Sequence, residues 1–430
     1  MKILTMSLCN FKCFESLDLK LNEHFNVIIG DNATGKTSIL DAISFALGTF
    51  LIGVRKVTGD SAIEIRTLKQ QEKRKILTEH VLNYQLPFNV KLRHTLQGVE
   101  YCWARETNKV TGGATSFKDA NDMIKHAERL CKNIYEANDQ TTLPLIAYYG
   151  TARLFSDKSQ RSRASRATAR TEGYAAALDP QCLQEHFVSW FADYEDSILK
   201  FAKEKSLYTA FTHTITTMVP DWEKIHYSWA HNCILGKMEN GTWTPFDMLS
   251  SGYRSIVRLA ADIAYRAIKL NPHLRERAVL ATEGVVLIDE LDMHLHPSWQ
   301  REIVRLFKTA FPRIQFIVTT HSPFIIQSVQ NHELIKLAEC RLENTAGNTN
   351  MKGLEDIVAD EMDVEDVRRS RRFVEYQQLA ERYFSLLENP NHAPEQIGAI
   401  KHALDNIELE FMDNPVLALL LTTERKLKGI

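Results

Sequence analysis

Between the apolar run Phe25-Asn26-Val27-Ile28-Ile29 and a helical pattern at 37–50 stands the octapeptide Gly30-Asp31-Asn32-Ala33-Thr34-Gly35-Lys36-Thr37. It fits GxxxxGK[ST] without deviation, and each fixed position has a physical reason. Gly30 and Gly35 let the backbone curl until its N–H groups converge on one point. The helix that follows, with Ser38 in its first turn, adds its positive N-terminal end. Such a cradle suits phosphate: Lys36 is placed to reach β- and γ-phosphates, and the Thr37 hydroxyl to ligate Mg²⁺. A strand, this loop and a helix in succession commit this part of the chain to an α/β fold.

A second apolar strand, Val285-Val286-Leu287-Ile288, ends in two carboxylates, Asp289 and Glu290. Asp289 is placed to hold Mg²⁺ and Glu290 to orient and activate an attacking water. Leu249-Ser250-Ser251-Gly252-Tyr253 precedes a helix that runs to about Lys269; Ser250 can cap it, and its open N–H groups make an anion site. Thr319-Thr320-His321-Ser322-Pro323 puts a histidine after the strand Ile314–Thr319, one helix beyond Asp289. Ligands in open α/β sheets collect at the ends of such strands.

Alternating strands and helices from 245 onward predict a mostly parallel sheet. Four regions are expected: 1–150 with the phosphate loop and a β/helical insertion, 151–245 with a basic loop and helices, 246–340 with the Ser250, Asp289 and His321 segments, and a helical 341–430. Strands are read at 79–106 and 223–247, a helix at 117–137, a strand from Leu143 to Tyr149, and three charged helices over 355–430. Residues 151–170 carry Arg153, Lys158, Arg161, Arg163, Arg166 and Arg170 among small polar residues, which predicts a mobile basic loop able to meet nucleic-acid phosphates. A net charge of -2 makes such a patch the place where nucleic acid would bind. Seven scattered cysteines, with no CxxC pair, favour a reducing cytoplasm over a disulfide framework. No signal peptide and no membrane span are read.

Taken in order, these motifs resemble the ABC-type ATPases and, within them, the SMC-like branch. The resemblance covers about residues 1–50 and 245–340. It implies an ATPase head with a mixed sheet, a helical insertion and a C-terminal helical region, holding ATP and Mg²⁺. It implies that Ser250, Ser251 and Gly252 meet the ATP of a second subunit in a homodimer or higher homo-oligomer. His321 would then sense the γ-phosphate, and Asp292 would touch the partner. Ser251 and Tyr253 depart from the family's Gly and Gln/Glu, and no glutamine loop is legible, so slow hydrolysis is expected. The stretches Ala147–Arg153, Asp289–Pro297 and Gln315–Pro323 are similar to the PtuA ATPases of Septu and retron-linked anti-phage systems. That likeness implies a separate HNH nuclease as partner.

Two alternatives are an overcoming-lysogenization-defect nuclease and a RecF-like repair ATPase. The first needs a strand ending in glutamate followed by an Asp-x-Asp pair. Residues 335–430 offer no such strand to a sequence reading, and Asp360-Glu361-Met362-Asp363 reads as a solvated face. His294-x-His296 reads as a loop before a helix opened by Pro297 rather than as a metal pair.

Overall fold

The computed structural model describes residues 1–78, 80–112, 115–136, 140–154, 170–180, 186–345, 347–364, 371–387 and 394–411. The chain divides into two compact units, Met1–Ile357 and Val358–Ile430. Every residue of the phosphate loop, the acidic strand end, the Ser250 segment and the histidine segment lies in the first.

The first unit is organised by a mixed six-stranded sheet. Its order across the sheet is Arg341–Glu343, Leu334–Ala338, Phe25–Gly30, Ile314–Thr319, Gly284–Ile288, Leu145–Tyr149. All neighbours run parallel except the first pair. Strands 25–30, 145–149, 284–288 and 314–319 are almost wholly buried, which explains their unbroken apolar sequences. Parallel direction has a consequence for function. The register pairs Ile288 with both Val318 and Tyr149, and Thr319 with Ile28. The loops after all four strands therefore leave the sheet at one edge.

The helix Lys36–Thr58 runs eight residues beyond the segment read from sequence. Leu51, Gly53 and Val54 continue its buried surface, and Gly59 closes it in a left-handed conformation. It is long and apolar enough by composition to cross a membrane, but it is a core helix of this unit. Each of its fully buried Ile, Leu or Phe side chains is worth about 1.5–3 kcal/mol of burial. At Gly53 an added Cβ would lie 2.4 Å from the Ile124 carbonyl oxygen, so the helix Asn121–Glu136 packs directly on its backbone. A four-stranded antiparallel sheet (Phe14–Lys20, Lys2–Phe11, Phe88–Leu96, Val99–Thr107) flanks this pair. Helices His186–Phe201 and Ser206–Met218 precede a three-stranded sheet over 222–245, which leads into the helix Ser251–Leu270.

Three expectations need correction. The region after 334 does contain a strand, Leu334–Ala338, followed by Glu339. Lys336 in its middle hides the strand from an apolar count; it is buried and paired with Glu343 at 3.3 Å. The strand hydrogen-bonds to Phe25–Gly30, so it belongs to the six-stranded sheet. The 360–363 run is not a solvated face throughout, because Glu361 is fully buried where the helix Leu354–Asp360 ends. Arg170 is not part of a mobile loop: its guanidinium donates to the carbonyls of Leu270, at 2.8 Å, and Thr141. Lys158, Arg161, Arg163 and Arg166 lie outside the described residues.

In the second unit, helices Arg371–Leu387 and Pro394–Phe411 pack through Tyr376, Tyr383, Leu404 and Ile407. Tyr376, Leu379, Ala380 and Tyr383 follow the i, i+3, i+4, i+7 spacing of one helical face.

Candidate nucleotide-binding site

The phosphate loop has a backbone that only its own sequence permits. Gly30 has φ +143° and Gly35 φ +100°. A Cβ on Gly30 would lie 2.3 Å from the Leu337 carbonyl oxygen, and one on Gly35 would lie 2.5 Å from the Phe14 ring. Both glycines are thus fixed by dihedral and by space. Ala33 also takes a left-handed conformation, at φ +68°. Thr34 Oγ1 donates to the Asp31 carbonyl at 2.8 Å and closes the turn, leaving Asp31, Asn32 and Ala33 exposed.

Lys36 Nζ folds back onto the loop, donating to the carbonyls of Gly30 and Asp31 at 2.7 Å each. Burial lowers its pKa, against the pull of Asp31, Asp289 and Glu290. The ammonium is therefore caged by the loop that it would serve, at the mouth of an anion cradle.

The strongest geometric result is a pairing across the sheet edge. Thr37 Oγ1 lies 3.0 and 3.1 Å from the two carboxylate oxygens of Asp289. Asp289 also accepts from Thr319 Oγ1 at 2.6 Å, and its own N–H donates to the Tyr149 carbonyl at 2.8 Å. Thr319 Oγ1 in turn accepts from the Glu290 N–H at 2.7 Å. Two hydroxyls thus fix the carboxylate, and the Tyr149 carbonyl fixes its backbone. Glu290 sits at φ +50°, a conformation rare for a residue with a Cβ. The sharp turn carries its side chain away from the strand axis, beside Asp289 but half-exposed.

Asp292 has an in-chain role that sequence did not suggest. Its Oδ1 accepts from Thr320 Oγ1 at 2.5 Å and from the His321 N–H at 3.2 Å. The acidic loop and the histidine loop are tied together, and half-exposed His321 is held at the same edge. Ser322 caps the helix Pro323–Gln327 and donates to Gln300 at 2.6 Å.

The Ser250 segment stands apart. Ser250 Oγ caps the helix by accepting from the Tyr253 N–H at 3.4 Å. Ser250 and Ser251 are exposed, and Gly252 is buried. A Cβ on Gly252 would lie 2.0 Å from the His294 carbonyl oxygen, so this glycine lets the helix start seat on the loop 290–297. The Tyr253 ring meets Trp299 edge-on at 4.3 Å. His294 and His296 are exposed, and His296 Nδ1 caps the helix Pro297–Ala310. Among the described residues no group of three metal-ligating side chains gathers.

Several participants were not read from sequence. Thr319 carries no motif of its own. A cavity of about 410 Å³ opens on Thr37 and Asp289 and is lined also by Lys12, Asp41, Arg66 and Tyr148. Asp41, one turn beyond Thr37, pairs with Lys12 and with Arg66 at 2.8 Å, and Arg66 also holds Glu72 at 2.5 Å. Burial alone would push the Asp41 carboxyl up, but Arg66 and Lys12 hold it below the usual range. Burial and Asp41 push the Tyr148 hydroxyl well above its ordinary value.

Comparison with known proteins agrees with this geometry. AAA domain models match residues 5–212 and 161–327, the second described also by the AbiEii toxin and a type IV toxin–antitoxin system. The retron Vc95 probable ATPase of Vibrio cholerae is 25% identical over 77% of this chain and 73% of its own length. The Septu protein PtuA of Bacillus mycoides is 26% identical over 93% of this chain, a match that spans 49% of PtuA. Likeness to the repair protein RecF of Lachnospira eligens is confined to 39 residues, 9% of this chain. Among solved structures, an SMC head bound to the C-terminal winged-helix domain of ScpA aligns over 80% of this chain and 96% of that one, with 14% identity and a TM-score of 0.47. The chain has an α/β phosphate-loop fold and is similar over most of its length to retron ATPases and to Septu PtuA.

Proposed function

We propose that this chain binds ATP with Mg²⁺ at Gly30–Ser38, closes as a homodimer around it, and controls a separate nuclease in cytoplasmic anti-phage defence. The observation that carries the nucleotide reading is the direct contact of Thr37 with Asp289 at the end of the phosphate loop. A hydroxyl and a carboxylate meeting at a helix N-terminus, beside a ring of backbone N–H groups, form the donor set that a phosphate-bound Mg²⁺ requires. When bound, the ion neutralises phosphate charge and polarises the bond to the γ-phosphorus.

The chain's own residues do the rest. The loop N–H groups and Lys36 bind phosphate, Lys36 leaving the Gly30 and Asp31 carbonyls for the ligand. Thr319 keeps Asp289 oriented, so that the carboxylate faces Thr37. Glu290 holds a water by hydrogen bond and takes its proton as that water attacks. His321, steadied through Asp292, contacts the far end of the phosphates. Exposed Ser250 and Ser251, with Gly252 beneath them, present helix N–H groups to the ATP of a second copy. Asp292 reaches that copy through the oxygen that Thr320 and His321 do not use.

The output is read from the relatives: retron and Septu ATPases point to defence, and an HNH nuclease is the effector proposed here. The basic stretch 151–170 would supply nucleic-acid contacts through its arginines outside the described residues. A repair role, as in RecF, finds support over a motif-length match only.

Lys36→Ala tests the nucleotide reading. Losing a charge-assisted contact to phosphate should weaken ATP binding by about 1.5–3 kcal/mol, or roughly 10- to 150-fold. The melting temperature should change little. Calorimetric ATP titration and a thermal melt measure both; undiminished affinity would place the nucleotide elsewhere.

A further inference from the structure

The helix Ser251–Leu270, which Ser250 caps, is pinned at two points, and both lie on the acidic sheet edge. In its first turn Gly252 seats against the His294 carbonyl. Further along, Asp262 accepts from the Tyr149 hydroxyl at 2.7 Å. Tyr149 ends its strand, and its carbonyl accepts from the Asp289 N–H at 2.8 Å. One fully buried residue therefore holds the backbone of Asp289 with its main chain and the Ser250 helix with its side chain.

The contact belongs to a closed ring. Arg266 Nε donates to the same Asp262 oxygen at 2.7 Å, and its Nη1 donates to the carbonyls of Gly173 and Ala175 at 3.0 and 2.9 Å. Two residues on, the Ala177 carbonyl accepts from the Tyr148 N–H at 2.8 Å. Strand, helix and the segment after Arg170 are thus tied together by hydrogen bonds. Asp262 and Arg266 are buried as well. A buried ion pair returns little net stability over apolar groups of the same size, and its best-attested use is to fix register. This helix has need of such a pin. Ala260, Ala261, Ala264 and Ala267 make up much of its buried face, and their methyl groups raise only shallow ridges against slippage. Apolar burial has no direction, whereas a hydroxyl–carboxylate contact has one.

We propose that Tyr149 is a positioning residue for nucleotide turnover: through Asp262 it fixes the register of the helix Ser251–Leu270, and with it the place where Ser250 and Ser251 meet the ATP of a second copy. This role rests on the dimer proposed above, because only a second copy's ATP meets those serines. Asp262 lies twelve residues beyond Ser250, about 18 Å along a continuous helix, so a slip at Asp262 is delivered whole to Ser250.

The test uses the full chain and Tyr149→Phe, which removes only the hydroxyl. ATP titration reads affinity, phosphate release reads kcat, and hydrogen exchange reads the helix start at 251–258. The variant should bind ATP within about twofold of the parent and lose about 10- to 100-fold in kcat, the scale of an ångström's misplacement. Exchange should rise at 251–258 and stay at the parental level over Gly284–Ile288. Asp262→Asn keeps the shape but takes the charge from the oxygen on which both donors converge. It should lose kcat in the same way, and the double variant should lose no more than the worse single one. Parental kcat, unchanged exchange, an equal loss of affinity, or losses that multiply in the double variant overturns the proposal. A parent without ATP turnover, or with a rate per chain independent of concentration, contradicts the readings above instead, and the exchange data then decide whether Tyr149 pins the helix.

Discussion

The acidic sheet edge and the Ser250 segment differ in how far each is completed by its own chain. At the edge, Asp289 is held by Thr37, Thr319 and the Tyr149 carbonyl, and Asp292 by Thr320 and the His321 N–H. Four segments remote in sequence converge there because four parallel strands end together. At the Ser250 segment the ordering is local. One cap and one close backbone approach fix its position, and two serines face outward. The first arrangement has the preorganised form that the proposed chemistry requires. The second, in the proposed dimer, would be completed by the ATP of the other copy.

The sharpest way to break this contrast is Ser250→Arg. An arginine at the exposed cap should leave ATP affinity of the single chain within about twofold, since the phosphate loop is untouched. Turnover should fall by about 10²-fold, the scale of losing a group that stabilises the transferred phosphate. ATP titration and phosphate release separate the two. Equal loss of binding and turnover would mean that Ser250 serves the nucleotide of its own chain.

A smaller effect should follow from Thr319→Val. It removes the donor to Asp289 and the acceptor for the Glu290 N–H in an almost isosteric change. Leaving those groups unsatisfied should cost about 1–3 kcal/mol of stability. Chemical denaturation measures it. Turnover should fall about tenfold at fixed Mg²⁺ and recover in part as Mg²⁺ is raised.

The smallest effect lies outside both regions and serves as a control. His94 is fully buried on the strand Phe88–Leu96, beside Trp103 at 4.4 Å. Burial, aided by the N-terminal ammonium, pushes its imidazole down to about 3. Between that value and about 6.5 the unfolded chain binds the proton and the folded chain does not. Stability should therefore fall as pH drops, by about 2 kcal/mol at pH 5 from this group. His94→Phe should flatten that part of the pH profile. An identical profile would show that other groups set the acid limit.

How much of this was legible in sequence follows the same divide. Gly284–Ile288 and Ile314–Thr319 are legible to the residue, because strands buried on both faces are written as short apolar runs. The Gly30–Thr37 loop is legible because phosphate chemistry fixes residue types at a set spacing. Leu334–Ala338 was not, because Lys336 interrupts it and finds its partner only in the next strand. The ties Thr319–Asp289, Asp292–Thr320 and Asp41–Arg66 were not either. Each joins residues whose nearness depends on topology, and hydroxyls and carboxylates have too many other uses to announce a partner. Glu361 misled for a related reason: a charged run gives no sign of which member turns inward.

In the proposed site Asp289 retains the metal-bound nucleotide while Glu290, one residue on, activates water. Measuring ATP affinity and steady-state phosphate release for Glu290→Gln tests it most directly. Affinity within about threefold of the parent is expected, with turnover lower by about 10²–10⁴-fold, the range for loss of a general base. Turnover at the parental rate, or affinity lost along with turnover, would contradict it.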